Sequence, residues 1–314
     1  MNHLTVNGIP YVFLVDFERK KPLIFTIEQA RKHGFYIDFH TAASHRNTSI
    51  ASGKFPLRFS PVPYPRYHKA FSLVHEHIRN GDTYLLNLTF PTPVNTPFSL
   101  REIFLRANAP YKLLYRDSFV CFSPEIFIRT SGNRISSYPM KGTIDASIPG
   151  AEKRLLDDPK ETYEHNTIVD LIRNDLSTVA TRVKVEKYRY TDRISSLQGD
   201  ILQASSVISG ELPQDWRKNA GTWFWKLLPA GSVSGAPKAK TLEIIRRAET
   251  GKRGYYSGVF GRFDGENIDS AVAIRYIEKK SGKMYYRSGG GITFLSEPKE
   301  EYHELIRKIY LPFV

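Results

Sequence analysis

A single cysteine, Cys121, occurs in the 314 residues, so no disulfide framework can form. It sits in an apolar, strand-like run, FVCFS, and the reducing cytosol is the default compartment. No run of about 18 apolar residues is present, which leaves no membrane-spanning helix to expect. The opening MNHLTVNGIPYVFLVDFERK has no basic segment followed by an apolar one, so no secretory signal is expected. Internal repeats and low-complexity linkers are also missing, and residues 1–314 read as one domain. Acidic residues are in the minority, 32 against 45 Lys and Arg, and the net charge of +13 favours an anionic partner. Nucleic acid is one class of such partner. However, no basic run exceeds the RKK of residues 19–21, and no zinc-finger or RNP-type pattern occurs. A small anionic substrate is the better reading.

What is abundant is β-branched and aromatic sequence cut by turn signals. YVFLVDF (11–17) and PLIFTI (22–27) read as a hairpin. TYLLNLTFPTPV (83–94), KLLYRDSFVCF (112–122) and EIFIRTSGNRISSYPM (125–140) follow, the last folding back at Ser-Gly-Asn. TRVKVEKYRYTD (181–192), a run through 194–208, YYSGVFGRFDGENIDSAVAIRYI (255–277) and KMYYRS (283–288) complete the series. Short connections imply antiparallel pairing. Four helices, 65–79, 159–179, 237–249 and 298–310, each open on a proline that suits a first helical turn. The expected class is α+β, with large antiparallel sheets and flanking helices.

Four clusters could carry chemistry. Glu161 and Glu164 lie i,i+3 after Asp158, a natural N-cap, and continue into Ile168, Leu171 and Ile172 on one face. Glu301 and Glu304 repeat the spacing in line with Leu305 and Ile309, although Lys308 interrupts that stripe. Two readings stay open: acids complementing helix dipoles, or four carboxylates around a divalent cation. Oxygen-only ligation selects Mg²⁺. The third cluster, PAGSVSGAPKAKTLEII (229–245), is a Gly/Ser loop entering a helix, either an anion site or a tight turn; it is not a Walker A loop. The fourth, RSGGGITF (287–294), is either a plain glycine bulge or a place where backbone approaches a ligand, with Arg275 at the end of strand SAVAIR to meet a carboxylate. His75 and His77 are i,i+2 on a helix, face different ways, and read as surface residues.

Taken in order, NGDTYLLNLTF, CFSPEIFI, YPMKGTI, IVDLIRNDL, GSVSGAPKAKTLEII, RGYYSGVFGRF, AVAIR and GGGIT…EEYHE resemble the chorismate-utilising enzymes from about residue 65 onward. That family includes anthranilate synthase component I, aminodeoxychorismate synthase component I, and the isochorismate and salicylate synthases. Residues 1–60 match loosely. The resemblance implies a large antiparallel two-layer β-sandwich with flanking helices, holding chorismate and Mg²⁺. It implies Glu164 and Glu304 as Mg²⁺ ligands, with Glu161 and Glu301 beside them through water. Arg275, Tyr256 and the backbone of Gly290 and Gly291 would bind a substrate carboxylate, while Ser232 and Thr143 would also contact substrate.

Position 141 separates the members. Anthranilate synthases resemble PIAGT here and aminodeoxychorismate synthases PIKGT, and this chain has PMKGT. The resemblance therefore implies Lys141 as a nucleophile and Glu125 as the acid/base. The expected reaction turns chorismate and ammonia into 4-amino-4-deoxychorismate for p-aminobenzoate and folate synthesis; anthranilate synthase or another chorismate enzyme is the alternative. Leu85 stands where amine-transferring members carry Gln and water-activating ones Lys. Ser196 stands where many relatives carry a catalytic-site histidine. Cys121 is in no glutaminase elbow, so a separate glutamine amidotransferase would supply ammonia. The matched region lacks the long N-terminal extension of many relatives, and a lyase-like segment after Val314 is not expected. A tryptophan feedback site is therefore not expected, and formation of p-aminobenzoate would need another protein.

Overall fold

The computed structural model describes residues 1–39, 57–194 and 200–313. Two antiparallel sheets with flanking helices organise them, an α+β fold as the turn pattern requires. The chain groups into two compact units. One comprises Met1–Tyr11, Glu125–Ser232 and Gly261–Ser270; the other comprises Val12–Pro124, Val233–Phe260 and Ala271–Val314.

In the first unit the long strand Ile201–Glu211 is the organiser. Thr181–Ile194 pairs along it, while Arg134–Ser137 and Met140–Asp145 pair with successive stretches of its length. Tyr138 and Pro139 interrupt what would otherwise be one continuous strand, since proline cannot donate to the ladder. Even there the carbonyl of Pro139 accepts from Ser206 N at 3.0 Å. Ile126–Ser131 folds back on Arg134–Ser137 through the expected Ser-Gly-Asn turn. Helix Ala151–Asp157 buries Ala151 and Leu155 on Leu202 and Ala204 of the sheet.

Lys141 and Gly142 form a bulge inside the strand Met140–Asp145. Met140 pairs with Ser205 and Thr143 with Gln203, so Lys141 and Gly142 share the space of one partner residue. Gly142 takes φ +91°, a conformation glycine adopts without penalty.

The second unit is built on an eight-stranded sheet. Leu85–Asn95 and Lys283–Ile292 pair from Met284↔Val94 to Ile292↔Leu86. Tyr276–Lys280, Phe119–Ser123, Tyr111–Tyr115 and Phe35–Phe39 extend it in that order. Helix Tyr64–Arg79 places Tyr67, Phe71, Val74 and Ile78 on one face, against Leu86, Leu88 and Phe90. Each such side chain contributes roughly 1.5–3 kcal/mol on burial. Inside this core Arg253, 1% exposed, donates to both oxygens of Glu249 and to the carbonyls of Val233 and Asn87. A buried ion pair holds only when its remaining donors are satisfied in this way.

Two sequence expectations need correcting here. The triple glycine is regular strand in the interior of the sheet rather than a bulge, with Gly290 opposite Leu88 and Gly291 opposite Asn87. Strand Ile268–Val272 ends before Arg275, which instead lies between strands at φ +51°. Further short helices, among them Ile27–Lys32, Leu100–Arg106, Ala151–Asp157 and Ala220–Leu227, add to the four expected. The expected helices run Tyr64–Arg79, Pro159–Ser177, Lys238–Ala248 and Pro298–Arg307. Among the described residues no helix is long and apolar enough to cross a membrane.

Candidate active site

Helix Pro159–Ser177 carries the first acidic pair. Asp158 caps it, its carboxylate accepting from Glu161 N at 2.9 Å, which fixes the phase of the first turn. That phase puts Glu164 on the stripe of Ile168, Leu171 and Ile172, all buried. Glu164 is 1% exposed, and its Oε2 pairs with Lys141 Nζ at 2.5 Å. Its other oxygen, Oε1, is buried with no hydrogen-bond partner among the described residues. Glu161 lies against the bulge: a Cβ added to Gly142 would stand 2.9 Å from Glu161 Oε2. The bulge thus does two things. It turns Lys141 toward the acidic helix and leaves room for the second carboxylate.

His165 and Ser206 brace this corner, and sequence reasoning missed both. Ser206 hydrogen-bonds Pro139 through its backbone and His165 Nε2 through its hydroxyl at 2.7 Å. Burial, aided by the nearby Arg189 guanidinium, holds the His165 imidazole down to about 4, so it is neutral near pH 7. The only signal in the sequence was position: His165 directly follows Glu164 on the buried face.

A small pocket in the same unit is lined by Glu125, Ser137, Ile172, Asp175, Leu227 and Ser232 among others. The Ser232 hydroxyl donates to Glu125 Oε1. Asp175, from the IVDLIRNDL segment, lies on the Gly231 backbone, where an added Cβ would meet its Oδ2 at 2.9 Å. Thr143 is exposed on its strand.

In the second unit, helix Pro298–Arg307 buries Glu301, 2% exposed, whose Oε1 accepts from the Ser296 hydroxyl at 2.8 Å. Glu301 and Glu304 approach Gly290: a Cβ there would stand 3.2 Å from Glu301 Oε2 and 3.7 Å from Glu304 Oε1. Tyr67 faces the same acids, and burial together with their charge pushes its phenol up. Lys308, the residue that broke the apolar stripe, pairs with Glu304 Oε1 at 2.5 Å and donates to the Gly289 carbonyl at 2.9 Å. Gly289 itself has no space for a side chain, since Leu88 O lies 2.4 Å from the Cβ position.

Arg275 donates from Nε to Tyr310 Oη at 3.2 Å and stacks on its ring. Its left-handed backbone costs an arginine roughly 1–2 kcal/mol. Such strain is retained where the surroundings over-determine it, often at a functional site. Tyr256 is buried, which pushes its phenol up. Leu85 is buried over Gly291, with Cδ1 3.2 Å from the Cβ position there, and brings no proton-transferring group to the strand. Ser196 lies outside the described residues.

Among the described residues no three His, Cys, Asp or Glu side chains gather into a metal-holding group. The donor chemistry nevertheless fits a hard cation. Both pairs are carboxylates, and Glu164 Oε1 is a buried carboxylate oxygen with no donor among the described residues.

Comparison with known proteins settles the family. Residues 25–312 match the family described as chorismate binding enzyme. The chain belongs to that family. An uncharacterized PabA-like protein of Haemophilus influenzae is 50% identical over 313 residues, covering 99% of this chain and 94% of its own. The probable anthranilate synthase component 1 of Schizosaccharomyces pombe is 34% identical over 260 residues, 77% of this chain but only 52% of that protein. This chain therefore spans about half the length of that relative. Among solved structures, anthranilate synthase component I from Streptococcus pneumoniae superposes with a TM-score of 0.69 at 28% identity, covering 81% of this chain and 58% of that one. The resemblance to chorismate-utilising enzymes and the fold expected from it hold.

Proposed function

We propose that this chorismate-binding enzyme is an aminodeoxychorismate synthase component I, the whole chain acting as one catalytic domain. It would convert chorismate and ammonia to 4-amino-4-deoxychorismate and water. The observation that carries the reading is Lys141, held on a bulged strand with Nζ 2.5 Å from a buried carboxylate, at the position where aminodeoxychorismate synthases, unlike anthranilate synthases, resemble PIKGT. In this reading Lys141 Nζ attacks ring C2 as the C4 hydroxyl departs. Glu125 supplies the proton that turns the leaving group into water, its carboxyl held by the Ser232 hydroxyl. Ammonia then adds at C4, and the C2–Nζ bond breaks to return the lysine. An ammonium has no lone pair, so Lys141 must leave Glu164 and lose a proton before it attacks.

Glu161, Glu164, Glu301 and Glu304 are the groups proposed to hold Mg²⁺, directly or through water. Mg²⁺ would supply a positive anchor for the ring carboxylate of chorismate. Arg275, Tyr256 and the Gly290–Gly291 backbone are proposed for the second carboxylate, and Thr143 for a further substrate contact. Ammonia would come from a separate glutamine amidotransferase. Cys121 is ruled out as the glutaminase nucleophile by its own setting: it is fully buried, donates to Ile274 O at 3.0 Å, and burial pushes its thiol far up.

The test is to incubate the protein with chorismate, Mg²⁺ and ammonium and then add an aminodeoxychorismate lyase. p-Aminobenzoate is the expected product. The competing reading is anthranilate synthase, favoured by the 34% identity to the fission-yeast relative. Fluorescent anthranilate formed without lyase would establish that reading instead. Lys141→Ala is expected to abolish amination; unchanged turnover would remove the nucleophile role.

A further inference from the structure

Each proposed inner metal ligand already carries a positive charge from its own unit. Glu164 Oε2 holds Lys141 Nζ at 2.5 Å, and Glu304 Oε1 holds Lys308 Nζ at 2.5 Å. The two lysines arrive by unrelated routes. Lys141 comes from a bulge in a strand, whereas Lys308 sits one turn further along the helix of Glu304 and is tied to Gly289 O. The same outcome by two routes indicates that the carboxylates require a counter-charge, as expected for Glu164 at 1% exposure.

A divalent cation bound through Glu164 or Glu304 brings two further positive charges within the width of a carboxylate from the ammonium. At Glu164, whose carboxylate is 1% exposed, this repulsion is only weakly screened. We infer that Lys141 and Lys308 are built-in counter-cations of the two carboxylate pairs, which Mg²⁺ displaces when it binds. Metal occupancy then releases the Lys141 amine from Glu164, so the group proposed to attack substrate comes free only when the cation that anchors substrate is in place. Lys308 acts at Glu304 as a pure antagonist of the metal, because no part of the proposed reaction uses it. The inference rests on the reading of these acids as Mg²⁺ ligands.

The experiment measures Mg²⁺ binding to the full chain by calorimetry, and Mn²⁺ binding by its electron paramagnetic signal, without chorismate. Lys141→Met and Lys308→Met keep the stem and remove the charge; each is expected to bind the cation about tenfold more tightly than wild type. Lys141→Arg keeps the charge and is expected to show no gain. As a second readout, acetic anhydride labelling followed by mass spectrometry should show Lys141 and Lys308 becoming more reactive at saturating Mg²⁺. The exposed Lys153 serves as the unchanged reference. Wild type that binds metal while both Met variants bind no more tightly overturns the exchange and leaves the metal assignment standing. Failure of every form to bind Mg²⁺ or Mn²⁺ overturns both.

Discussion

At the scale of single residues, the candidate site combines fully buried carboxylates, Glu164 and Glu301, with partly exposed charges. Glu164 is the extreme case: one oxygen has an ammonium, the other has no partner among the described residues, and the side chain is 1% exposed. Stability alone would favour a leucine at such a position, because burying a charge costs several kcal/mol before any pairing. Its presence at a buried position is an argument for chemistry there. Glu125 differs, accepting from the Ser232 hydroxyl at the wall of a pocket. If it protonates the leaving hydroxyl, Glu125→Gln should lower turnover by about 10²–10⁴-fold while chorismate still binds. Steady-state rates paired with equilibrium binding check this, and an equal loss of affinity would make Glu125 a binding residue only. Cys121 gives a residue-scale control on the fold. Fully buried, it should resist Ellman's reagent in native buffer and titrate as one thiol in denaturant. Rapid native reaction would contradict the burial.

At the scale of elements, the bulge at Lys141 and Gly142 is the feature on which the site turns. Gly142→Ala forces a side chain into φ +91° and places its Cβ 2.9 Å from Glu161 Oε2 and 3.1 Å from Leu155 Cδ1. The variant should lose about 1–3 kcal/mol in urea unfolding and most of its activity. An active, fully stable Gly142→Ala would show that the bulge is dispensable. This element also marks the boundary of what could be read in advance. PMKGTI announces a strand with a lysine, but the bulge arises from its register against Gln203 and Ser205, sixty residues away, which no local pattern encodes. The acidic helix was legible because Asp158, Pro159 and the apolar stripe all agree. The short helices Ile27–Lys32 and Leu100–Arg106 did carry a signal: Thr26 with Gln29 and Ser99 with Glu102 form capping boxes. Six or seven residues are too few for a hydrophobic period to stand out, so the caps were the only evidence. Lys308 looked like a flaw in its stripe because its partner Gly289 O lies on a different element.

At the scale of the whole molecule, the surplus of basic residues has to be reconciled with a site rich in carboxylates. Every acid singled out here is buried, paired or hydrogen-bonded, so the net charge of +13 is expressed mainly by the exposed lysines and arginines. A positive outer field suits a substrate carrying two carboxylates, since it raises the local concentration of the anion and speeds encounter. Such steering acts on association and not on the chemical step. With chorismate and ammonium, kcat/KM should therefore fall by about 3–10-fold from low salt to physiological ionic strength, whereas kcat at saturating chorismate stays constant. Measuring both constants across a potassium chloride series checks this. A kcat that falls in parallel would place the salt effect on the site itself, and a flat kcat/KM would mean that the basic surface has no part in capturing substrate. The same series run with random duplex DNA separates the two anionic partners: a substrate-steering surface should leave kcat/KM unaffected by DNA at physiological salt, and a nucleic-acid-binding one should not.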